Sequence, residues 1–376
     1  MAEYIRADKS RKADVLDFIN YVFSSSHVPH DFKTLLPKVY RDEKEDFNGT
    51  HYLAEEEGRI KAVITNLMLE EQVGTEIFKY GMIGNVSVHP YARSKGYMKA
   101  LMKMIREDSE KDGLDALVLG GQRQRYGYFG FESASVNYRF WITKTNIRHV
   151  MKEVDCEGIV FEAVEDPYAK EVSIAKALYE KRPAHAIRPM EDFLYIMHNW
   201  ASEFYAVKKD GNMIGYVYGN AVEVVLEDEK DLPAVLKAWF AYKGVTEISM
   251  AVAPFDKQRI AYLHTICEQM TLVPAEMICI LNWKKVLQTL LQFKQTYCPL
   301  QDGKIVVQIE EEIFAIQVQD GKVTVDTLEC CEQEIPVLGH NEAQRLFFGM
   351  QTLLAPPAEY KNWLPLPFFI DTPDAF

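Results

Sequence analysis

The residues best equipped for chemistry lie in Val86–Met102, VSVHPYARSKGYMKALM. An apolar run ends at Pro90, and Arg-Ser-Lys-Gly-Tyr-Met then opens a helical pattern. A strand that turns into a helix presents backbone N–H groups without partners, and the helix dipole adds positive potential there. Together they favour phosphate. Arg93 and Lys95 add charge, and Gly96 removes a Cβ where a ligand would approach. Pro90 ends the strand ladder, which exposes the backbone edge of Val86 and Val88 beside the turn. Met98 stands at the second helical position, where its N–H can face phosphate while its side chain turns into the core. The glycine patterns G-x-G-x-x-G and G-x-x-x-x-G-K-[ST] are absent. Spacing alone leaves two readings open: a phosphate cradle, or a helix cap that carries Arg and Lys.

Other reactive side chains are less organised. His27, His30, His51 and His89 lack ligand spacing to a second His or Cys, so no metal site is expected. His89 reads as a loop residue rather than a base. In SSSHVPHD, Asp31 is either a helix cap or a partner for a cationic amine. The six cysteines all follow residue 155 and show no CxxC pair, so zinc and redox chemistry are weak readings. Cys330 and Cys331 read as free thiols, and a reducing cytoplasm fits best. In RYGYFGFE, composition alone makes Tyr126, Tyr128, Phe129 and Phe131 packed aromatics.

The elements around these residues alternate between α and β. KADVLDFINYVFS has apolar residues at helical spacing. HYLAEEEGRIKAVITNLMLEEQV reads as two strands about a Gly58 turn. YMKALMKMIREDSEKDGL is an amphipathic helix closed by Gly113, and DALVLGG is a short buried strand. FYAVKKDGNMIGYVYG repeats the earlier strand pair, with Tyr205 over Tyr52 and Gly211 over Gly58. The second copy has nothing like Arg-x-x-Gly between its strand and helix. Beyond Trp283 an amphipathic helix precedes KIVVQIEEEIFAIQVQDGKVTVDTLE, whose alternation predicts an antiparallel meander. The tail WLPLPFFIDTPDAF is rich in Pro and aromatics, so it is expected to dock rather than fray.

A length of 376 residues implies two or three domains. Neither a signal peptide nor a membrane span is expected. Residues 1–150 hold 22 Lys and Arg against 21 Asp and Glu, and residues 151–376 hold 20 against 34. The acidic remainder argues against nucleic acid and suits a cationic substrate, or serves solubility.

The segment Val86–Met98 resembles motif A of the GCN5-related N-acetyltransferases, V-x-V-x-P-x-x-[QR]-x-x-G-x-[GA], at Val86, Val88, Pro90, Arg93 and Gly96, and departs from it at Met98. RYGYFGFE is similar to a second signature of that superfamily. The whole layout resembles the enhanced intracellular survival (Eis) acetyltransferases. That resemblance implies an α/β and α+β chain: a catalytic domain at 1–150, a degenerate second copy at 151–282, and a sterol-carrier-protein-2-like domain at 283–376. It implies acetyl-CoA as co-substrate, no metal, and a hexamer. The pyrophosphate would be held by the backbone of Arg93, Ser94, Lys95, Gly96, Tyr97 and Met98. Val86, Ser87, Gly121 and Gln122 would complete the cofactor-binding set, with the Val88 N–H facing the thioester oxygen.

The resemblance further assigns Tyr126 as the proton donor to the departing thiolate, and leaves Tyr128, Phe129 and Phe131 in the core. It implies that the α-carboxylate of Phe376 takes the amine proton. Such a carboxylate has a pKa of about 3.3–3.7 and needs desolvation to act as a base. Asp371 and Asp374 are rival carboxylates. The implied activity is N-acetylation of a cationic small molecule such as an aminoglycoside. A protein-lysine or polyamine acetyltransferase is the alternative, and a non-enzymatic lipid carrier a second one.

Overall fold

The computed structural model describes residues 2–26, 28–44, 47, 50–134, 136–274 and 276–376. His27 lies outside the described residues. The chain packs as two compact units, Met1–Ala134 with Glu276–Leu366 and Ala375–Phe376, and Ser135–Ala275 with Pro367–Asp374. Neither unit is a continuous stretch of sequence.

The first unit begins with strand β1 (Glu3–Arg6) and helices α1 (Lys12–Ser26), α2 (Phe32–Leu35) and α3 (Pro37–Tyr40). Strands β2 (His51–Glu56), β3 (Arg59–Val73) and β4 (Glu76–Val88) follow as an antiparallel meander. Then come helix α4 (Tyr97–Lys111), strand β5 (Ala116–Leu119), the short helix α5 (Arg123–Tyr126) and strand β6 (Glu132–Ala134). Residues alternate between two cores, as the pleat requires. Tyr52, Ala54, Ala62 and Ile64 pack with Leu101, Met102 and Ile105 of α4. Leu53 and Val63 pack with Val15, Ile19, Phe32 and Val39 of α1 to α3.

Within this unit the strand order is β1-β2-β3-β4-β5, then Glu276–Ile280, then β6. The strand Glu276–Ile280 enters from far along the chain and pairs antiparallel with both β5 and β6. Its residues Met277, Ile278, Cys279 and Ile280 are all buried, so the strand reads as one apolar run. The amphipathic helix after Trp283 spans Trp283–Tyr297, and the predicted meander forms as Gly303–Ile309, Glu312–Gln319 and Lys322–Leu328. Helix His340–Phe348 stops at Gly349, and a short helix, Gln351–Leu354, follows it.

In the second unit Phe204–Lys209 and Asn212–Tyr218 form the expected strand pair about Gly211, which sits at φ +83°. Helix Leu232–Lys243 closes at Gly244, φ +65°, as its sequence predicts. Among the described residues no helix is long and apolar enough to cross a membrane.

Candidate active site

The site starts from where β4 and β5 part. They pair in parallel at Tyr80–Ala116, Gly81–Leu117 and Met82–Val118. Strand β5 then turns away, while β4 continues to Val88 with β3 as its neighbour. The opposite edge of β4 is therefore open from Ile83 to Val88. Along the edge that faces β3 the register slips: Thr65 faces Gly84, but Val63 faces Ser87. The extra residue is accommodated by Asn85 at φ +46°, a β-bulge.

The bulge decides which backbone groups face the gap. The His89 N–H donates to the Lys61 carbonyl at 2.9 Å, toward β3. Successive N–H groups of a strand alternate sides, so those of Val88 and Val86 point into the gap. The side chains of Val86 and Val88 pack on the α4 core, and Ser87 is buried with its hydroxyl 3.3 Å from the Val63 carbonyl.

After a 3-10 turn at Pro90–Ala92 the chain enters α4 through two left-handed residues, Ser94 at φ +66° and Gly96 at φ +85°. Gly96 is the N-cap of α4, and no side chain caps it. The first N–H groups of the helix are thus presented to solvent at the positive end of its dipole. A Cβ on Gly96 would meet nothing within 4 Å, so the approach to the turn is clear. Arg93 is exposed. Lys95 is drawn off to Glu56, with Nζ 3.2 Å from Oε2, and the Tyr97 hydroxyl donates to the same oxygen at 3.0 Å. Lys95 thus adds less free charge to the turn than its position in sequence suggests. Met98 is half-buried against the α4 core, the packing its sequence position allowed.

Tyr126 lies in that same core, which brings it together with Val86, Val88 and Met98. Its ring is seated on Gly121, where a Cβ would fall 2.6 Å from Cε2. Gln122 caps α5, and its carbonyl accepts from the Arg125 and Tyr126 N–H groups at 3.0 and 3.1 Å. Burial raises the Tyr126 phenol above its ordinary value of 10.0, with Arg125 opposing. The hydroxyl is therefore a proton donor at neutral pH. The neighbouring aromatics divide: Phe131 is 1% exposed and core, Phe129 is half-buried, and Tyr128 is 68% exposed. Tyr128 is thus not a core residue; its ring lies outside α4, 5.2 Å beneath the Lys99 ammonium. Lys99, Lys103 and Arg106 line one side of a cavity of about 300 Å³ with Tyr128 and Phe129 on the other.

Several residues that hold the Tyr126 loop escaped sequence reading. Glu132 is buried and binds Arg123 of α5 through both oxygens, and takes Arg345 Nη1 at 2.8 Å. Asn341 Nδ2 donates to the Gly127 carbonyl at 2.9 Å, and Gln344 Nε2 to the Gly130 carbonyl at 2.7 Å. Arg345, Asn341 and Gln344 each lie more than two hundred residues from their partners, so no local spacing announces them. The only local signal is the polar run Asn-Glu-Ala-Gln-Arg in an otherwise apolar helix.

Phe376 packs against the other core, under α1 to α3. A Cβ on Gly84 would overlap its ring, so the missing side chain makes its seat. Lys38, 6% exposed, donates to the Ala375 carbonyl at 2.7 Å. The rival carboxylates are engaged elsewhere. Asp374 takes Arg188 Nε at 2.9 Å and Nη2 at 2.8 Å, and Asp371 takes Arg182 Nη1 at 2.7 Å. The arginines hold the Asp371 carboxyl below the usual range against the opposing effect of burial. Both aspartates are buried ion-pair partners in the second unit, which removes them as proton acceptors. Asp31 is a helix cap, with Oδ1 accepting from the Lys33 N–H at 3.2 Å and Oδ2 from the Thr34 hydroxyl at 2.7 Å. His89 caps its turn and stacks on Tyr21.

One further constellation imitates a catalytic triad. Cys279 Sγ lies 3.5 Å from His340 Nε2, and His340 Nδ1 lies 3.1 Å from Glu310 Oε2. Burial pushes the Cys279 thiol up to about 12 and the His340 imidazole down, so neither a thiolate nor an imidazolium forms near neutrality.

Comparison with known proteins bears on the family and the fold. The acetyltransferase (GNAT) domain family model matches residues 3–134. Among curated proteins none matches the chain in sequence. Solved structures share its fold over nearly the whole length. A GCN5-related N-acetyltransferase from Kribbella flavida is 15% identical, covers 100% of this chain and 98% of its own, and has a TM-score of 0.68. Eis1 from Mycobacterium abscessus is 14% identical over 100% of both chains, at 0.67. A probable N-acyltransferase from Enterococcus faecalis V583 is 16% identical over 92% and 90%, also at 0.67. Residues 3–134 match the acetyltransferase (GNAT) domain family, and the solved structures share the fold of the chain around them.

Proposed function

We propose that the enzyme transfers acetyl from acetyl-CoA to an amine of a cationic small molecule, such as an aminoglycoside, by direct attack in a ternary complex. The observation that carries this reading is the open edge of β4 running into the uncapped start of α4. It offers the residues that acetyl-CoA requires. The backbone of Arg93 to Met98 would hold the pyrophosphate. The N–H groups of Val86 and Val88 would bind the pantetheine arm and the thioester oxygen as it gains charge. The cations Lys99, Lys103 and Arg106 beside Tyr128 suit the nucleotide end.

The amine nitrogen then bonds to the acetyl carbon as the carbon–sulfur bond breaks. The amine proton passes to the α-carboxylate of Phe376, and the leaving thiolate takes the proton of Tyr126. The excess of 14 acidic over basic side chains in residues 151–376 supports a cationic acceptor. The second strand pair at Phe204–Tyr218 and the meander at Gly303–Leu328 are compatible with a degenerate second acetyltransferase copy and a sterol-carrier-protein-2-like domain. Thiol release from acetyl-CoA separates the alternatives: tobramycin, a lysine-rich peptide, spermidine and a blank are compared at equal concentration. Release with tobramycin at least tenfold above the peptide is expected. Release only with peptide or spermidine replaces the acceptor class, and none with any amine removes the reading.

A further inference from the structure

Asn85 is a non-glycine residue held at φ +46° in the middle of a strand, and such strain persists only where the surroundings over-determine it. What determines it is a buried chain of polar groups behind β4. The Tyr40 hydroxyl lies 2.8 Å from Asn85 Oδ1 and 2.8 Å from His51 Nε2. The Thr65 hydroxyl lies 3.2 Å from the same Asn85 oxygen. Tyr40, His51 and Thr65 are fully buried and Asn85 is 6% exposed.

The protons can be placed by elimination. Asn85 Oδ1 only accepts, so Tyr40 and Thr65 both donate to it. The Tyr40 oxygen must then accept, and His51 Nε2 carries the hydrogen it receives. His51 is neutral, since burial pushes its imidazole down to about 3. Phe47 stacks on its ring at 4.0 Å between centroids. The network therefore moves no proton, and its product is a position: the carboxamide of Asn85, and with it the bulge.

We propose that Tyr40 is a positioning residue for acetyl transfer, whose hydroxyl locks the Asn85 bulge and thereby fixes which N–H groups of Val86–Val88 face the acetyl-CoA gap. The logic is that of strand register. One residue gained or lost reverses every later N–H and side chain of the strand. If the bulge relaxes, the Val88 N–H swings from the gap toward β3, and the donor for the oxyanion goes with it. The pyrophosphate turn at Gly96 lies beyond the strand and keeps its own geometry. The inference rests on the acetyl-transfer reading of this site.

The test is steady-state kinetics of Tyr40→Phe with the best acceptor, alongside the double variant Tyr40→Phe/Asn85→Gly. Loss of an aligned oxyanion donor lowers kcat by about 10²- to 10³-fold, and a partly relaxed bulge by less. A fall of at least tenfold in kcat with the KM for acetyl-CoA within threefold of wild type is therefore expected. Glycine adopts φ near +46° without strain, so the double variant keeps its bulge unaided and recovers at least half of the lost factor on a logarithmic scale. A residue that served stability alone gives no such rescue, because glycine only loosens the strand further. Should Tyr40→Phe melt below the assay temperature, Thr65→Val removes the other donor and carries the same comparison. Wild-type kcat in Tyr40→Phe, or a loss that Asn85→Gly deepens, overturns the proposal. Wild-type protein that neither binds acetyl-CoA nor releases its thiol overturns the acetyl-transfer reading instead.

Discussion

Gly96 allows the phosphate-cradle reading to be tested without touching any charged group. It sits at φ +85° with nothing within 4 Å of the place a Cβ would occupy, so Gly96→Ala introduces backbone strain and no clash. An L-residue held left-handed is strained by roughly 1–2 kcal/mol. That strain has two outlets. If the free loop keeps its shape, stability falls and CoA affinity is unchanged. If the free loop relaxes, stability is retained but CoA must restore the turn. Its apparent Kd then rises by about 5- to 30-fold, since 1.4 kcal/mol is a factor of ten.

Gly58 supplies the control. It lies in the β2–β3 turn at φ +69°, also with nothing within 4 Å, so Gly58→Ala carries nearly the same strain and the same gain from a stiffer unfolded chain. Isothermal titration with CoA and thermal melting of both variants give four numbers. The expected pattern is a lower Tm for Gly58→Ala with wild-type Kd, and a Kd raised at least fivefold for Gly96→Ala. Gly96→Ala with wild-type Kd and wild-type Tm refutes the reasoning. So does a Gly58→Ala variant that weakens CoA binding equally, because the effect then does not belong to the turn.

Tyr126→Phe should lower kcat by about 10²- to 10⁴-fold with CoA affinity retained, as expected for loss of a general acid. Burial holds its phenol above 10.0, so the proton it donates stays in place through pH 9, and kcat should show no basic limb below that which vanishes in Tyr126→Phe. Glu223 gives a pH-dependent stability. Burial raises its carboxyl from 4.5 to about 7 despite Arg188 at 3.5 Å. The folded state then holds a proton that the unfolded state releases. Stability therefore falls as pH rises from about 4.5 through 7. Glu223→Gln keeps an acceptor for the Tyr216 hydroxyl and should melt above wild type at pH 8, with the gap closing toward pH 4; a gap that does not vary with pH contradicts this. Iodoacetamide at pH 7.5 should label exposed Cys330 and leave Cys279 unmodified in native protein, as read by peptide mass spectrometry. Rapid labelling of Cys279 would mean that the Cys279–His340–Glu310 line is reactive after all.

What the sequence made legible is what local chemistry dictates. Apolar residues before Pro90, a glycine at a left-handed position and a helical pattern after it require little beyond their neighbours, and the turn formed as read. The packing of the Met98 side chain on the α4 core also follows from its place in the helix. The meander after Gly303 follows from alternation alone. The supports of the site were not legible for the opposite reason. Glu132 with Arg345, Gln344 with Gly130 and Arg188 with Asp374 are pairs 186 to 214 residues apart, and no periodicity encodes a partner at that range. The same limit applies to Tyr40, which reads as one more apolar residue in LPKVY and is instead the hinge of a buried polar chain. Three carboxyl groups near residue 376 looked interchangeable in sequence. Only the placement of Arg182 and Arg188 shows that two of them are engaged.

Two strand-to-helix turns in this chain show how like frameworks carry unlike loops. Helix α4 and helix Leu232–Lys243 each follow a buried strand and present an N-terminus. At α4 the cap is Gly96, among the described residues no side chain caps it, and nothing lies within 4 Å of the place its Cβ would take. At Leu232 the preceding turn is Glu229–Asp231, the Asp228 side chain already accepts from the Lys230 N–H at 2.9 Å, and Pro233 removes a donor from the first turn. A phosphate there would meet the carboxylates of Glu229 and Asp231, where the turn into α4 carries Arg93 and Lys95 instead. The difference amounts to a handful of residues on frameworks that alternate alike. The proposed cofactor turn thus differs from its counterpart in the chemistry of its loop, which the sheets around it merely hold in position.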